Sequence, residues 1–248
     1  MTANLKTMKI LTTILIFVKI TTFGQTIKVD TFRLEKGQQF KNTTPNKIIF
    51  PIICSHNKKI DSLINTDLKN RFTNNEYPTN NLESTLIKWT QDRITFIDFQ
   101  VTYNQNGILS INVSAEGCGA YCSSWKEYFN YSTSSGKRLN ISDIIDDLVV
   151  FEKRVTEDRK KQYEAQRQEL KETLKDKNSK MNDVTYNWVL EDYVSCEKNF
   201  SIESFAIHHN HLEVIDNCDL PHAIRCYTPI IELKYRFFII EDKLKIKH

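Results

Sequence analysis

Residues 103–140, YNQNGILSINVSAEGCGAYCSSWKEYFNYSTSSGKRLN, decide the fold of this 248-residue chain. Apolar and polar side chains alternate on both sides of Asn106-Gly107, a dipeptide that tolerates the positive φ of a tight hairpin turn. A corner of small residues with two cysteines follows, and then a third alternating segment, WKEYFNY. The stretch therefore predicts three antiparallel strands in succession.

The chain before this stretch predicts two strands and two helices. Residues 27–34 alternate in polarity and residues 47–54 form a short apolar run, so both segments are predicted strands. Residues 56–72 repeat apolar side chains at intervals of three and four, which predicts an amphipathic helix, and residues 82–90 predict a second one. Polar residues 37–45 predict a loop.

A long charged helix is predicted to follow the three strands, beginning near Asp143 and continuing to about residue 180. Asp143, Asp146 and Asp147 fall in its first turns, where the helix dipole favours acidic groups. We interpret it as a solvated surface helix, and a protruding helix that binds a partner is the alternative. Residues 200–207 and 212–215 then predict a second hairpin, and residues 227–240 and 244–246 predict further strands.

These elements predict an α+β chain, with antiparallel sheets, an early amphipathic helix and a long helix inserted after the third central strand. Residues 25–248 are predicted to form a single extracytoplasmic domain, or two lobes at about 25–93 and 94–248.

Residues 1–24 are predicted to be a secretory signal peptide. Lys6 and Lys9 precede an apolar run, and small residues precede a cut near Gly24 and Gln25. Lys19 divides the run into stretches much shorter than the roughly 20 residues that span a bilayer, which disfavours the alternative of a retained anchor. The true start could be Met1 or Met8. The chain is therefore predicted to be secreted or periplasmic, without membrane insertion after cleavage.

The net charge disfavours a nucleic-acid partner. The chain has 34 Lys and Arg against 31 Asp and Glu, and the three lysines of the predicted signal peptide account for the whole excess, since 34 minus 3 is 31. A neutral mature chain offers no basic surface for nucleic acid.

All six cysteines follow the predicted signal peptide, and an even number in an exported chain indicates disulfide bonds. We predict one bridge between Cys118 and Cys122, and a second between Cys196 and either Cys218 or Cys226. The spacing is not the paired CxxC pattern of a zinc or redox site. The full set of candidates is Cys54, Cys118, Cys122, Cys196, Cys218 and Cys226.

No catalytic constellation is recognisable, and we predict neither a cofactor nor a bound metal. There is no GxSxG motif, and six scattered glycines do not form a phosphate-binding loop. His209, His211 and Glu213 would share a strand face, with His222 able to approach, but they straddle a predicted turn, where polar residues are common. We interpret the cluster as an exposed turn, with a small metal-dependent envelope hydrolase as the alternative.

The predicted mature chain resembles an extracellular domain of unknown function. This domain occurs in the lysozyme-sensing anti-sigma-V factor of Gram-positive bacteria and in the non-catalytic N-terminal part of peptidoglycan deacetylase C. The similarity rests on IIFPIICSHNKKIDSLIN (48–65), with Asn65 at a family asparagine, and on YNQNGILS (103–110), GAY (119–121) and SSGKRLNISDII (134–145). It continues through FAIHHNHLEVI (205–215), DLPHAIR (219–225) and TPIIELKY (228–235).

The resemblance implies an α+β extracytoplasmic binding module of the cell envelope and supplies no catalytic residue. The family's corner histidine is Tyr121 here, and cysteines flank that corner, so the sensing and deacetylase roles do not carry over. We predict a non-catalytic module whose partner is a protein, such as a lysozyme, or a peptidoglycan-type glycan. Candidate contact residues are Tyr121, Trp125 and His222, and a purely structural envelope protein is a further alternative.

Overall fold

The computed structural model describes residues 26–34, 48–91, 94–241 and 244–245. The predicted signal peptide and the predicted loop at 37–45 lie outside the described residues. In chain order, the elements are β1 (Lys28–Arg33), β2 (Ile49–Cys54), α1 (Lys58–Phe72), α2 (Leu82–Gln91), β3 (Ile94–Gln105), β4 (Ile108–Cys118), β5 (Cys122–Ser132), α3 (Ile141–Ile144), α4 (Leu148–Lys175), α5 (Asp183–Lys198), β6 (Phe205–Ile207), β7 (His211–Val214), a 3₁₀ helix (His222–Tyr227), β8 (Leu233–Arg236) and α6 (Phe237–Ile240).

Three antiparallel sheets with helices between them confirm the predicted α+β class. The sheets have the strand orders β1-β2, β3-β4-β5 and β6-β7-β8. A parallel bridge between Ile48 and Ile97 joins the first sheet to the central one. The turn between β3 and β4 is the predicted one, because Asn106 and Gly107 both have positive φ, 54° and 78°.

The first hydrophobic cluster packs α1 and α2 against the inner face of the central sheet. Helix α1 buries residues four apart, which include Ile64, Leu68 and Phe72, so its predicted amphipathic character is confirmed. The Phe72 ring lies 5.1 Å from Trp89 and 6.4 Å from Phe129, centroid to centroid. This cluster holds side chains from both sides of residue 93, and the division into lobes there stays a prediction.

Two asparagines clamp strand backbones to neighbouring elements. Asn65 of α1 accepts a hydrogen bond from Ile53 N at 2.8 Å and donates one to Ile53 O at 2.9 Å. Asn104 of β3 makes the same pair of bonds with Ile27, at 2.9 and 2.7 Å. Each amide thus replaces the partner that a further strand would provide, which gives both asparagines a structural role.

Lys69 holds the loop after α1. Its ammonium is mostly buried and donates to three loop carbonyls, those of Tyr77 at 3.1 Å, Pro78 at 3.2 Å and Asn80 at 2.5 Å. Burial lowers the pKa of this amine, because the charged form loses hydration.

Replacing Lys69 with methionine keeps the length of the side chain and removes all three hydrogen bonds. We expect the free energy of unfolding to fall by about 1.5–3 kcal/mol, the range for hydrogen bonds to charged groups. Urea unfolding measures this change. Lys59→Met, at an exposed site on the same helix, is the control and should change stability by less than about 0.5 kcal/mol. Equal effects of the two substitutions would contradict the role of Lys69.

The single long helix predicted after the central strands is wrong at its start. The chain forms the short helix α3, then extended backbone at Ile145, and α4 begins only at Leu148. Asp143 and Asp147 form hydrogen bonds at the starts of two different helices. At the start of α3, Asp143 accepts from Asn140 N, and at the start of α4, Asp147 accepts from Val150 N at 3.1 Å. The long helix after the third central strand is confirmed as α4. Among the described residues, no helix is both long and apolar enough to cross a bilayer.

The predicted strand at 227–240 is also wrong over most of its length. Its first residue closes the 3₁₀ helix, β8 covers only four residues, and α6 follows at once. Phe237 and Ile240 are both buried in a second hydrophobic cluster, which packs β6, β7 and β8 against α3 and the start of α4. Residues three apart share a face on a helix and lie on opposite faces of a strand, so burying both favours a helical turn. Leu244 pairs with Ile145 in an isolated bridge, Lys245 N donates to Ile144 O at 2.9 Å, and residue 246 of the predicted strand lies outside the described residues.

Candidate functional site

The outer face of the central sheet is covered over only part of its length. Asn130 donates to Phe205 O at 2.8 Å, and Ser110 accepts from Ile207 N at 3.1 Å. These bonds seal one half of the face under β6. Burial raises the pKa of Tyr128 to about 12, and the nearby Glu213 carboxylate adds to the effect.

The other half of this face is an open groove of about 480 Å³. Trp125 is among the lining residues, but its ring lies on the inner face of the sheet, where Trp125 pairs with Ala115 and packs edge-on against Trp89 at 6.3 Å. The Glu116 carboxylate accepts hydrogen bonds from Thr95 Oγ1 at 3.1 Å and Ser124 Oγ at 3.3 Å. The lining residues are Phe96, Ser114, Ala115, Glu116, Ser124, Trp125 and Lys126. The groove thus combines aromatic surface, hydroxyl groups and one charge of each sign.

A disulfide closes the tip of the β4–β5 hairpin beside the groove. Cys118 and Cys122 are cross-strand neighbours and form the predicted bridge. The bridged corner presents Tyr121, a residue that is 65% exposed and whose ring stacks on His222 at 4.2 Å with planes 20° apart. The structure therefore brings Tyr121 and His222 together, while Trp125 lines the groove.

The second disulfide fixes the segment that carries His222. Of the two predicted partners of Cys196, Cys218 forms the bridge, and Cys54 and Cys226 are free thiols. The bridge ties the end of α5 to the loop just before the 3₁₀ helix.

The turn between β6 and β7, residues 208–211, is the histidine turn. It brings together a different set of side chains from the set that the two-residue period of a strand indicated. His208, His211 and Glu213 place one ligand atom each within 4.8 Å of the others. His209 lies away from this group, with Nδ1 3.4 Å from Gln105 Nε2. Its inclusion in the sequence-based set was wrong, because residue 209 falls in the turn itself and not on the strand. His222 stacks on Tyr121 instead.

The charges at this turn affect each other. The hydrogen bond from His208, and then the charge of that residue and of Lys234, lower the pKa of Glu213 against the effect of burial. Burial, and after it the neighbouring charge of His208, lowers the pKa of His211.

A second cavity, which the sequence did not indicate, lies along the polar side of α1. Its volume is about 790 Å³, and Asp67, Asn70 and Arg71 are among its lining residues. Asn70 Oδ1 and Arg71 Nη1 are buried atoms without a hydrogen-bond partner. Apolar periodicity identifies the buried face of such a helix, and it gives no information about which polar residues line a cavity.

The fold and the groove together define an α+β module with a partly open central sheet. Two solved structures share this fold. One is a member of the DUF3298 family from Bacteroides fragilis, 14% identical, with a TM-score of 0.55 over 90% of this chain and 94% of that chain. The other is a DUF3298 family protein from Pseudomonas aeruginosa, 13% identical, with a TM-score of 0.50 over 90% of this chain and 96% of that chain.

No protein-family model matches the chain, and no curated protein matches it. At these identities the two structures establish a common fold with proteins of a domain of unknown function. The narrower similarity to the anti-sigma-V ectodomain and to the deacetylase stays a prediction.

Proposed function

We propose that this protein is an exported, non-catalytic binding module of the bacterial cell envelope, and that the groove on its central sheet binds a cell-wall glycan. The observation that carries the proposal is the uncovered half of the outer sheet face, next to a half that β6 seals with two side-chain hydrogen bonds. Two disulfides support export, since such bonds persist mainly in oxidising compartments.

The chemistry of the groove favours a glycan over a protein partner. Its volume of about 480 Å³ lies in the range of small-molecule sites, whereas protein partners cover roughly 800 Å² of a wide surface. Sugar rings present both apolar faces and hydroxyl groups. On the outer face, Phe96 suits the former, and Ser114, Ser124 and Glu116 suit the latter.

The residues that line the groove also favour binding of a glycan without its hydrolysis. Glycoside hydrolysis ordinarily needs two carboxyl groups across the scissile bond. Among the described residues that line the groove, Glu116 is the sole carboxylate, and hydrogen bonds from Thr95 and Ser124 hold it.

Calorimetric titration of the oxidised protein with a soluble disaccharide-peptide tests the proposal. Lys126 lines the groove, is exposed, and makes no contact on which the fold depends, so Lys126→Glu should fold normally. We expect this substitution to weaken binding about tenfold, which corresponds to about 1.4 kcal/mol.

Lys160→Glu, on the exposed side of α4, makes the same charge change away from the groove and should leave the affinity unchanged. Equal affinities of the two variants would place the site elsewhere. The absence of saturable glycan binding, together with binding of an envelope protein, would favour a protein partner instead.

A further inference from the structure

The β6–β7 hairpin brings two histidines and a glutamate onto one face. His208 and His211 flank the two-residue turn, and His208 N donates to His211 O at 2.9 Å. Residues across a tight turn face the same way, and Glu213 joins them because it lies two residues along β7 from His211. The next residues inward, Ile207 and Leu212, are paired and buried on the opposite face.

The three side chains lie close enough to share one ion. His208 Nε2 is 2.9 Å from Glu213 Oε2, and the two imidazole rings are parallel within 2° at 4.3 Å. All three ligand atoms fall within 4.8 Å of one another. Ligands of a tetrahedral zinc lie roughly 3.3 Å apart, given metal–ligand bonds of about 2.0–2.1 Å, so small side-chain rotations would bring them together.

We propose that His208, His211 and Glu213 bind one divalent transition metal, with Zn²⁺ as the preferred ion. Two imidazoles and a carboxylate are ligands that zinc takes in proteins, and three protein ligands leave a fourth position open. The inference does not depend on the groove, since no residue of this group lines it.

The surroundings include both support and competition for the metal. Asn210 Oδ1 accepts from His211 Nδ1 at 2.7 Å, an outer hydrogen bond of the kind that orients metal-binding imidazoles. On the neighbouring strand β8, Lys234 pairs with Glu213 and Arg236 pairs with His211. Lys234 Nζ is 3.9 Å from Glu213 Oε1 and 3.1 Å from Glu232 Oε1. A metal on Glu213 therefore displaces Lys234 towards Glu232.

Titration of the oxidised protein with Co²⁺, followed by its visible d–d absorption and by displacement with Zn²⁺, tests this site. The free thiols of Cys54 and Cys226 are alkylated beforehand, so that no cysteine contributes. We expect saturation at one ion per chain. His208→Ala and the nearly isosteric Glu213→Gln should each weaken the apparent affinity by more than about tenfold. The midpoint of thermal unfolding confirms that the variants fold.

Two further variants separate a metal site from a turn that is merely hydrogen-bonded. His209→Ala removes the adjacent histidine and should leave the affinity unchanged, since His209 lies outside the group. Lys234→Met removes a competing cation and should increase the affinity. Absence of saturable binding by the wild-type protein, or an equal loss in the His209 and His208 variants, would overturn the proposal.

Discussion

Replacing Arg159 with methionine should lower the free energy of unfolding by about 3–5 kcal/mol, because it leaves the buried Asp216 carboxylate without its charged partner. The side chains of Arg159 and Asp216 are only 7% and 3% exposed, and Arg159 Nε lies 2.5 Å from Asp216 Oδ2. Arg159 also donates to the carbonyls of Glu197 at 3.1 Å and Cys196 at 2.9 Å. The Arg159 guanidinium therefore satisfies two carbonyls at the end of α5 and balances the charge of Asp216 in the loop after β7.

Chemical unfolding monitored by circular dichroism measures this loss. Lys160→Ala is the matched control, because Lys160 pairs with Glu164 on the same helix while both side chains are more than half exposed. Exposed pairs of this kind contribute about 0–1 kcal/mol. The double substitution Arg159→Met with Asp216→Leu removes both charges and should recover much of the stability. A loss in Arg159→Met no larger than in Lys160→Ala would contradict the role of the pair.

This ion pair helps to hold a third hydrophobic cluster, to which α4, α5 and residues 218–224 contribute buried side chains. Asp216 lies two residues before Cys218, which is bonded to Cys196 at the end of α5. The bridge joins the end of α5 to the loop after β7, and Arg159 of α4 binds both of these segments, the loop through Asp216 and the end of α5 through the Cys196 carbonyl. The 3₁₀ helix with His222 follows this anchored loop, so the position of the Tyr121–His222 stack depends on an arrangement remote from it in sequence.

Local patterns in the sequence predict the parts of the fold that local physics determines. The β3–β4 turn follows from Asn106 and Gly107, and α1 follows from apolar spacing. The Cys118–Cys122 bridge joins cross-strand neighbours, so the predicted hairpin already brings them together. Asn65 and Asn104, which lie within the quoted motifs 48–65 and 103–110, clamp backbones, so these motifs encode the fold.

Contacts between distant parts of the chain could not be predicted in the same way. Nothing in the local pattern pairs Arg159 with Asp216, 57 positions later. Helix α5 escaped prediction because its buried face consists of few residues, with Val189 and Tyr193 as the buried ones. At the histidine turn, a shift of one residue in the turn exchanges His208 for His209, and periodicity does not fix a turn to that precision.

The candidate binding residues show the same limit. Tyr121, Trp125 and His222 are placed on or beside one edge of the molecule, yet only Trp125 lines the groove. Phe96 and Lys126 come into the site through sheet register, since β3 and β5 pair with β4 on either side. Alternation predicts which face each strand presents, whereas coverage of half of that face by β6 is a tertiary contact.

Replacing Phe72 with alanine should have the second large effect, a loss of about 3–5 kcal/mol in the free energy of unfolding. Phe72 is fully buried at the end of α1, and its ring lies 5.6 Å from Phe50 and 5.1 Å from Trp89. These neighbours come from β2 and α2, while Phe129 approaches from the central sheet. Truncation leaves a cavity bounded by rings from three directions, which cannot all move inward together.

Phe238→Ala removes the same atoms at a site that is 70% exposed and should change stability by less than about 0.5 kcal/mol. Because Trp89 packs against both Phe72 and Trp125, the cavity at Phe72 should loosen the packing of the two tryptophan rings. Tryptophan fluorescence of the folded variant would report that change, and urea unfolding gives the stability. If Phe72→Ala lowers the free energy of unfolding no more than Phe238→Ala does, the aromatic cluster must collapse around the vacancy. Helix α1 would then be held to the sheet chiefly by its other buried residues and by the Asn65 clamp.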